Sequence, residues 1–392
     1  MKFSDLATIR KSTVHPQAFD GYDNYLGFEH FDPGTLRFET TGDPASVSSM
    51  KQEFLPGDTI YGKLRPYFRK VGWSKDLRGI CSTDLWVFKP KPGVDPRFVF
   101  YVAGSQEFTD LATQSSEGTR MPRASWSVVK DFEVLDFTLG EQRAIASTLG
   151  AIDDKIESNR RAINVLEQLF SAEFSRTLQS AEPISAQPLA AIATITRGRS
   201  YKSAELQDSP VALVTLKSID RNGGYKDNGL KPYIGPYKPE QVVSPGEIVV
   251  AQTDLTQGAE VVGRGVRVPA SEEYDTLVAS LDLSVLRPRD DMPNEYLLGL
   301  LSSEAFRQHC RRHVTGTTVL HLAKDAMPTW LAPVVLPENQ ARFAIIARAL
   351  LSRIDSYAAE NVRLTSTRDA LLPALLSGGI RVTAEGVGRE QF

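Results

Sequence analysis

The chain holds only two cysteines in 392 residues, Cys81 and Cys310, far apart in sequence. That excludes a disulfide framework and a zinc site of paired cysteines. A reduced, cytoplasmic protein is the simplest expectation. No apolar run is long enough to span a bilayer, and the opening MKFSDLATIRKS lacks the apolar core of a secretory signal. Phosphate loops of the Gly-x-x-x-x-Gly-Lys-Ser/Thr type, Gly-x-Ser-x-Gly elbows and the Asn/Asp-Pro-Pro-Tyr/Phe signature of base methylation are absent. His309 and His313 lie four apart on a predicted helix, but no Glu follows His309 and no third ligand is evident, so they read as surface histidines and not as a metal site. Cys81, between Ile80 and Ser82 on a predicted strand, reads as a buried structural thiol. Together with the duplicated architecture of the chain, these absences favour recognition over catalysis.

What is present is a chain of ordinary apolar content, 41 %, long enough for two domains, and it repeats itself. Ser82, Asp84, Leu85, Val87 and Pro90 of CSTDLWVFKP recur as Ser280, Asp282, Leu283, Val285 and Pro288 of ASLDLSVLRP, a shift of 198. At the same shift Ser105 and Phe108 recur as Ser303 and Phe306, Gly118-Thr119 as Gly316-Thr317, and Gln142 as Gln340. Upstream, FLPGDTIYGK (54–63) resembles VSPGEIVVAQ (243–252) at a shift of 189. This pattern marks a tandem duplication of about half the chain, each unit being domain-sized.

Each unit closes on a long helical stretch. In residues 140–178 the apolar positions Ile145, Leu149, Ile152, Ile156, Ile163, Leu166 and Phe170 form a heptad seam with Asn159 in its missing slot. Unbroken, that helix would run roughly 58 Å. The second stretch carries Phe343, Ile346, Leu350, Ile354, Tyr357, Leu364 and Leu371, with Asn361 at the equivalent slot. Two amphipathic helices covering separate cores would show much of this pattern. The sustained 3.5-residue seam instead favours an intramolecular coiled coil whose register Asn159 and Asn361 set.

Ahead of the helices, GICSTDLWVFKP (79–90) alternates as a half-buried strand does. Residues 95–112 predict a helix with Pro96 in its first turn, and 211–219, 247–252, 260–268 and 277–287 predict strands, VVGRGVRV supplying a hairpin turn. The expected class is α+β. The expected order is a first globule (1–139), a first spacer helix (140–178), a linker (179–188), a second globule (189–336), a second spacer helix (337–378) and a frayed C-terminal tail (379–392).

The net charge of −3 says nothing about nucleic acid, because a basic surface can be local. Residues 59–75 hold no acid and carry Lys63, Arg65, Arg69 and Lys70 among Tyr61, Tyr67 and Phe68. Residues 305–324 hold no acid either and carry Arg307, Arg311, Arg312, His321 and Lys324, while GTRMPR (118–123) supplies Arg120 and Arg123 to the first unit. Such runs are either solvated faces or phosphate and base contacts. The glycines of GTRMPR and GTTVLH permit left-handed turns.

The pattern PGDTIYGKLRPYFRK, CSTDLWVFKP, GTRMPR and LGEQRAIASTLGAIDDKI, with LLPALLSGGIRV near the end, resembles the specificity subunit of type I restriction–modification systems over about residues 1–382. The second unit departs from the pattern, with Asn339-Gln340 for Glu-Gln and VVAQTD for YGKLRP. The resemblance implies two target recognition domains, each reading half of a bipartite double-stranded DNA site, and an antiparallel pair of helices acting as the ruler between them. It implies no catalysis and no cofactor in this chain. The partners would be two adenine-N6 methyltransferase subunits, which bind S-adenosylmethionine, and a translocase–nuclease subunit in systems that have one. A methylation-only or other phage-defence system without a nuclease would use the same chain. The expected DNA contacts are Lys63, Arg65, Arg69, Lys70, Arg120 and Arg123 in the first domain, and Gln252, Arg264, Thr317, Thr318 and His321 in the second.

Overall fold

The computed structural model describes residues 1–16, 21–180, 185–221, 223–226, 229–255, 258–383 and 386–387. It divides into two compact units. Unit 1 comprises Met1–Ser158 with Glu360–Phe392, and unit 2 comprises Asn159–Ala359. The division therefore cuts both long helices, Leu139–Ser180 and Pro337–Leu376.

The two units share one plan, and the repeated residues show why. Each begins with a single helical turn, Phe3–Leu6 or Leu189–Ile192, whose first and last residues are buried. Each then forms a four-stranded antiparallel sheet. In unit 1 the order is Ala7–Ile9, Leu85–Pro90, Thr59–Gly62, Val71–Trp73. In unit 2 it is Ala193–Arg197, Leu283–Pro288, Ile248–Ala251, Gly265–Arg267. The recurring Leu85, Val87, Leu283 and Val285 are fully buried on the strand next to the first. Ser82 and Ser280 make the turn before it, their carbonyls accepting from the amides of Leu85 and Leu283 at 3.0 and 2.9 Å.

That turn corrects the expectation of one strand across residues 79–90. Gly79–Cys81 belongs to a second sheet, beside Lys51–Phe54 and parallel to Tyr25–Leu26. Unit 2 breaks in the same way between Thr276–Ala279 and Leu283–Pro288. Of the strand expected over 260–268 only Gly265–Arg267 forms; Gly263, at φ +75°, turns the chain just before it. Of 211–219 only Val211–Val214 is extended, and Leu216–Ser218 is a 3-10 turn.

The helix expected over 95–112 is two helices, Pro96–Ala103 and Gln106–Gln114, with Pro96 at the first position. Ser105 caps the second by accepting from the Phe108 amide at 3.2 Å, and Ser303 does the same for Phe306 at 3.3 Å. A side-chain cap satisfies a backbone donor that would otherwise be orphaned. Phe108 and Phe306 are fully buried, so the repeated Ser-x-x-Phe is a cap plus a core anchor.

Within unit 1 the start of the first long helix and the end of the second run antiparallel: Ile145 and Leu149 share a core with Leu372 and Leu375, and Lys155 meets Glu360 at 3.3 Å. Within unit 2, Phe170 and Phe174 pack on Phe343 with ring centroids 5.4 and 5.3 Å apart. Of the linker expected over 179–188, residues 181–184 lie outside the described residues and Ser185–Pro188 is a strand paired with Leu331–Val334. Of the tail, Val382–Thr383 pairs with Gly386–Val387, and residues 384–385 and 388–392 lie outside the described residues. Among the described residues no helix is long and apolar enough to cross a membrane.

Candidate nucleic-acid interface

In each unit three segments meet in the same hydrogen bonds. In unit 1 the Lys63 amide donates to Asp84 O at 3.1 Å, and the Ala124 amide donates to Lys63 O at 2.9 Å. In unit 2 the Gln252 amide donates to Asp282 O at 2.7 Å, and the Leu322 amide donates to Gln252 O at 2.8 Å. These are the same positions under the two sequence shifts, 189 for the strand end and 198 for the other segments. Leu64 then bridges Arg123, as Thr253 pairs with His321. The turns that follow each second helix contain Gly118 at φ +97° and Gly316 at φ +107°, a left-handed backbone that favours glycine.

This platform gathers four of the six cations expected in unit 1. Lys63 is half-buried; burial lowers its pKa, with Asp84 raising it and Arg123 lowering it in turn. Arg65, Arg120 and Arg123 are exposed. The Arg65 guanidinium donates to Arg120 O at 3.4 Å, and Arg123 pairs with Asp84 at 3.0 Å. Arg69 and Lys70 turn to structural work instead. Arg69 donates to Gly104 O at 2.8 Å, and burial lowers its pKa against the opposing pull of Asp369. Lys70 donates to Phe28 O at 2.7 Å and lies 4.0 Å from the centre of the Phe28 ring. The aromatic residues of the stretch also divide. Tyr61 is core, stacked on Trp86 at 6.1 Å, whereas Tyr67 is 51 % exposed.

In unit 2, Thr317, Thr318 and His321 are exposed beside the platform. The Gln252 amide group is taken by Ser284 Oγ. Arg264 donates to the carbonyls of Glu260, at 2.7 Å, and of Arg221. Arg307 donates to Glu260 O at 3.0 Å and Arg311 to Ala259 O at 3.1 Å. Burial, then Arg307 and Arg311, lower the Arg264 pKa. Three guanidiniums thus hold one loop by its carbonyls.

Of the two histidines expected at the surface, His313 is exposed and His309 is half-buried. His309 Nε2 is 2.8 Å from Ala326 O, and His313 Nδ1 is 2.8 Å from His309 O, so both rings engage backbone. Cys81 and Cys310 are buried free thiols, and burial pushes Cys310 up to about 12. Among the described residues no group of three potential ligands could hold a metal.

Two elements of the helix pair escape sequence reasoning. The repeated glutamines are buried hooks: Gln142 Nε2 donates to Phe137 O at 3.0 Å and Gln340 Nε2 to Val335 O at 2.8 Å. Gln142 Oε1 also accepts from the Asp95 amide at 3.1 Å, joining the first long helix to the cap of Pro96–Ala103. Glu141 accepts from the Thr138 amide and hydroxyl, both at 2.8 Å, and these bonds lower its pKa. The other element is Arg368, which is 3 % exposed and occupies the seam slot between Leu364 and Leu371. It donates to Asp153 at 3.0 Å and to Asp369 at 2.9 Å, while Tyr101 donates to Asp153 at 2.6 Å. Burial pushes the Arg368 pKa down, and Asp153 and Asp369 together more than reverse that, so it is raised. Arg368 was legible only as a charge at a seam position. Asn159 is buried and Asn361 partly buried, on segments assigned to unit 2 and unit 1 respectively.

No family model matches the chain. The type I restriction enzyme EcoDI specificity subunit of Escherichia coli is 30 % identical over 200 residues, covering 47 % of this chain and 44 % of that protein. The MjaVIII specificity subunit of Methanocaldococcus jannaschii is 20 % identical over 328 residues, covering 78 % and 75 %. The match to the EcoDI subunit thus spans less than half of that relative's length. The crystal structure of a type I restriction–modification S subunit from M. genitalium covers 96 % of this chain and 95 % of its own, at 16 % identity and a TM-score of 0.53, and has the same fold.

Proposed function

We propose that this chain, similar in sequence to type I restriction enzyme specificity subunits and alike in fold to one of them, is the DNA-reading subunit of such a system and performs no catalysis itself. The observation that carries the reading is the duplicated platform: one hydrogen-bonded arrangement built twice, with different side chains at its rim. Lys63, Arg65, Arg120 and Arg123 surround it in unit 1, while Thr317, Thr318 and His321 do so in unit 2. A binder that must read two dissimilar half-sites needs one scaffold and two rims. Cations supply sequence-independent attraction to phosphates, and hydrogen-bonding side chains read base edges.

The long helices set the distance between the half-sites and carry two adenine-N6 methyltransferase subunits, with a translocase–nuclease subunit where the system has one. S-adenosylmethionine binds in the methyltransferase, and that subunit takes the target base out of the stack, as chemistry on a base requires. The work is done inside the cell, where the DNA is. Modified-base sequencing of the host genome, with the gene intact and deleted, tests the proposal. Loss of adenine methylation at one two-part motif is the expected result; an unchanged methylome in a strain expressing the chain and its partners would overturn it.

A further inference from the structure

Each platform ends in an exposed apolar residue, and in unit 1 the chain is visibly forced to present it. The turn Pro66–Phe68 lies between Arg65 at φ +48° and Arg69 at φ +46°. A left-handed backbone is unfavourable for residues other than glycine, and when it persists it signals a local constraint. The constraint is explicit: the Arg65 amide donates to Pro122 O at 2.7 Å, Arg69 Nε to Gly104 O at 2.8 Å, and the Phe68 ring meets Phe28 at 6.4 Å. The product is Tyr67, 51 % exposed, its ring 4.8 Å from that of Phe68. Beside it Met121 is 49 % exposed on the paired turn, and Arg65 and Arg120 flank both.

Unit 2 also leaves an apolar residue exposed where its platform strand ends. The strand Thr253–Asp254 continues into Leu255, which is 72 % exposed; under the 189 shift Leu255 stands at the place of Pro66, and the place of Tyr67 falls on residue 256, outside the described residues. Asp254 is buried and anchors the step by accepting from the amides of Val261 and Val262 at 2.5 and 3.0 Å. An apolar side chain held in water beside the platform of each unit contributes nothing to its own core. In unit 1 it sits beside the exposed Arg65 and Arg120, which suit a polyanion.

Resting on the DNA-reading function proposed above, we infer that Tyr67 and Leu255 are specificity-determining residues, each making the apolar contact with base edges in its unit's half of the site while the neighbouring polar and cationic groups hold the backbone. Apolar contacts of this kind discriminate the thymine methyl group from other base edges.

The test uses the full-length chain and a pool of double-stranded DNA with randomised positions, sequencing what is bound at several salt concentrations. The wild type is expected to select a two-part motif. Tyr67→Ala should relax one position in one part by about 5- to 150-fold, and Leu255→Ala should relax one in the other part, with the dependence of affinity on salt unchanged in both. Tyr67→Leu, which keeps an apolar group, should retain the preferred base with weaker discrimination. Thermal melting of each variant separates a lost fold from a lost contact. Alanine variants that select the wild-type motif, or that weaken all sequences alike with a shallower salt dependence, would overturn the inference and leave the DNA-reading function standing. A wild type that selects no motif would instead overturn the function.

Discussion

Arg368→Met removes a guanidinium that is 3 % exposed and tied to Asp153 at 3.0 Å, to Asp369 at 2.9 Å and to Thr35 O at 3.4 Å. Methionine fills much of the same space, so the chief loss is electrostatic. Asp153 would keep the Tyr101 hydroxyl at 2.6 Å but would lose its counter-charge. Breaking a buried pair by deleting one partner costs about 3–5 kcal/mol. Urea unfolding read by tryptophan fluorescence can measure this, because Trp73, Trp86 and Trp126 lie in unit 1 and Trp330 alone lies in unit 2. With Trp330→Phe as background, and a denaturant slope of about 2 kcal/mol/M, the unit 1 midpoint should fall by roughly 1.5–2.5 M. The double variant Asp153→Asn with Arg368→Met should recover part of the loss, since the Asp153 charge is gone and Asp369 keeps Arg69 at 3.8 Å. A single-variant cost under about 1 kcal/mol, or a double variant no better than the single, would refute the role of the pair.

Three further outcomes follow from the same geometry. Gln142→Leu strands the Phe137 carbonyl and the Asp95 amide, and Gln340→Leu strands the Val335 carbonyl alone, so the first should cost about 2–4 kcal/mol and the second about 1–3 in the same unfolding assay; a reversed order would contradict the account of the hooks. Burial, with Asp220 nearby, holds the Glu167 carboxyl above its ordinary range. The folded state therefore binds that proton more tightly than the unfolded state, and stability is lost as pH rises from the ordinary value near 4.3 through the raised one. Glu167→Gln should accordingly raise the melting temperature at pH 7 and give no gain below about pH 4, and an equal gain at both would exclude ionisation as the cause. Inserting seven residues into each long helix keeps the 3.5-residue seam and adds about 10.5 Å, which should widen the gap of the methylated motif by roughly three base pairs and leave its two halves unchanged. A motif with the old gap would refute the ruler.

The duplication was legible because each repeated residue has a local duty that side-chain type alone can announce. Ser105 and Ser303 cap helices, Phe108 and Phe306 anchor them, and Leu85 and Leu283 open buried strands. The candidate site was less legible. Arg69 and Lys70 look identical in sequence to Arg65, yet a left-handed turn and the carbonyls of Gly104 and Phe28 draw them inward. Arg264 likewise reads as a free cation and is bound to Glu260 O. The strand break was missed because one polar residue, Ser82, bends the chain with no proline or glycine to mark it, and the helix break because a single glycine, Gly104, ends one helix just before Ser105 caps the next.

By itself the sequence determined that there are two units of one kind, that each ends in a long helix, and that cations gather in stretches free of acid, because periodicity, caps and charge are local properties of the chain. Only the tertiary structure decided which cations face water, that residues 63, 84 and 124 meet as 252, 282 and 322 do, and that an arginine lies buried in the helix seam. Those facts depend on segments tens to hundreds of residues apart arriving at one place, where a carbonyl or a carboxylate either satisfies a charge or leaves it to the solvent.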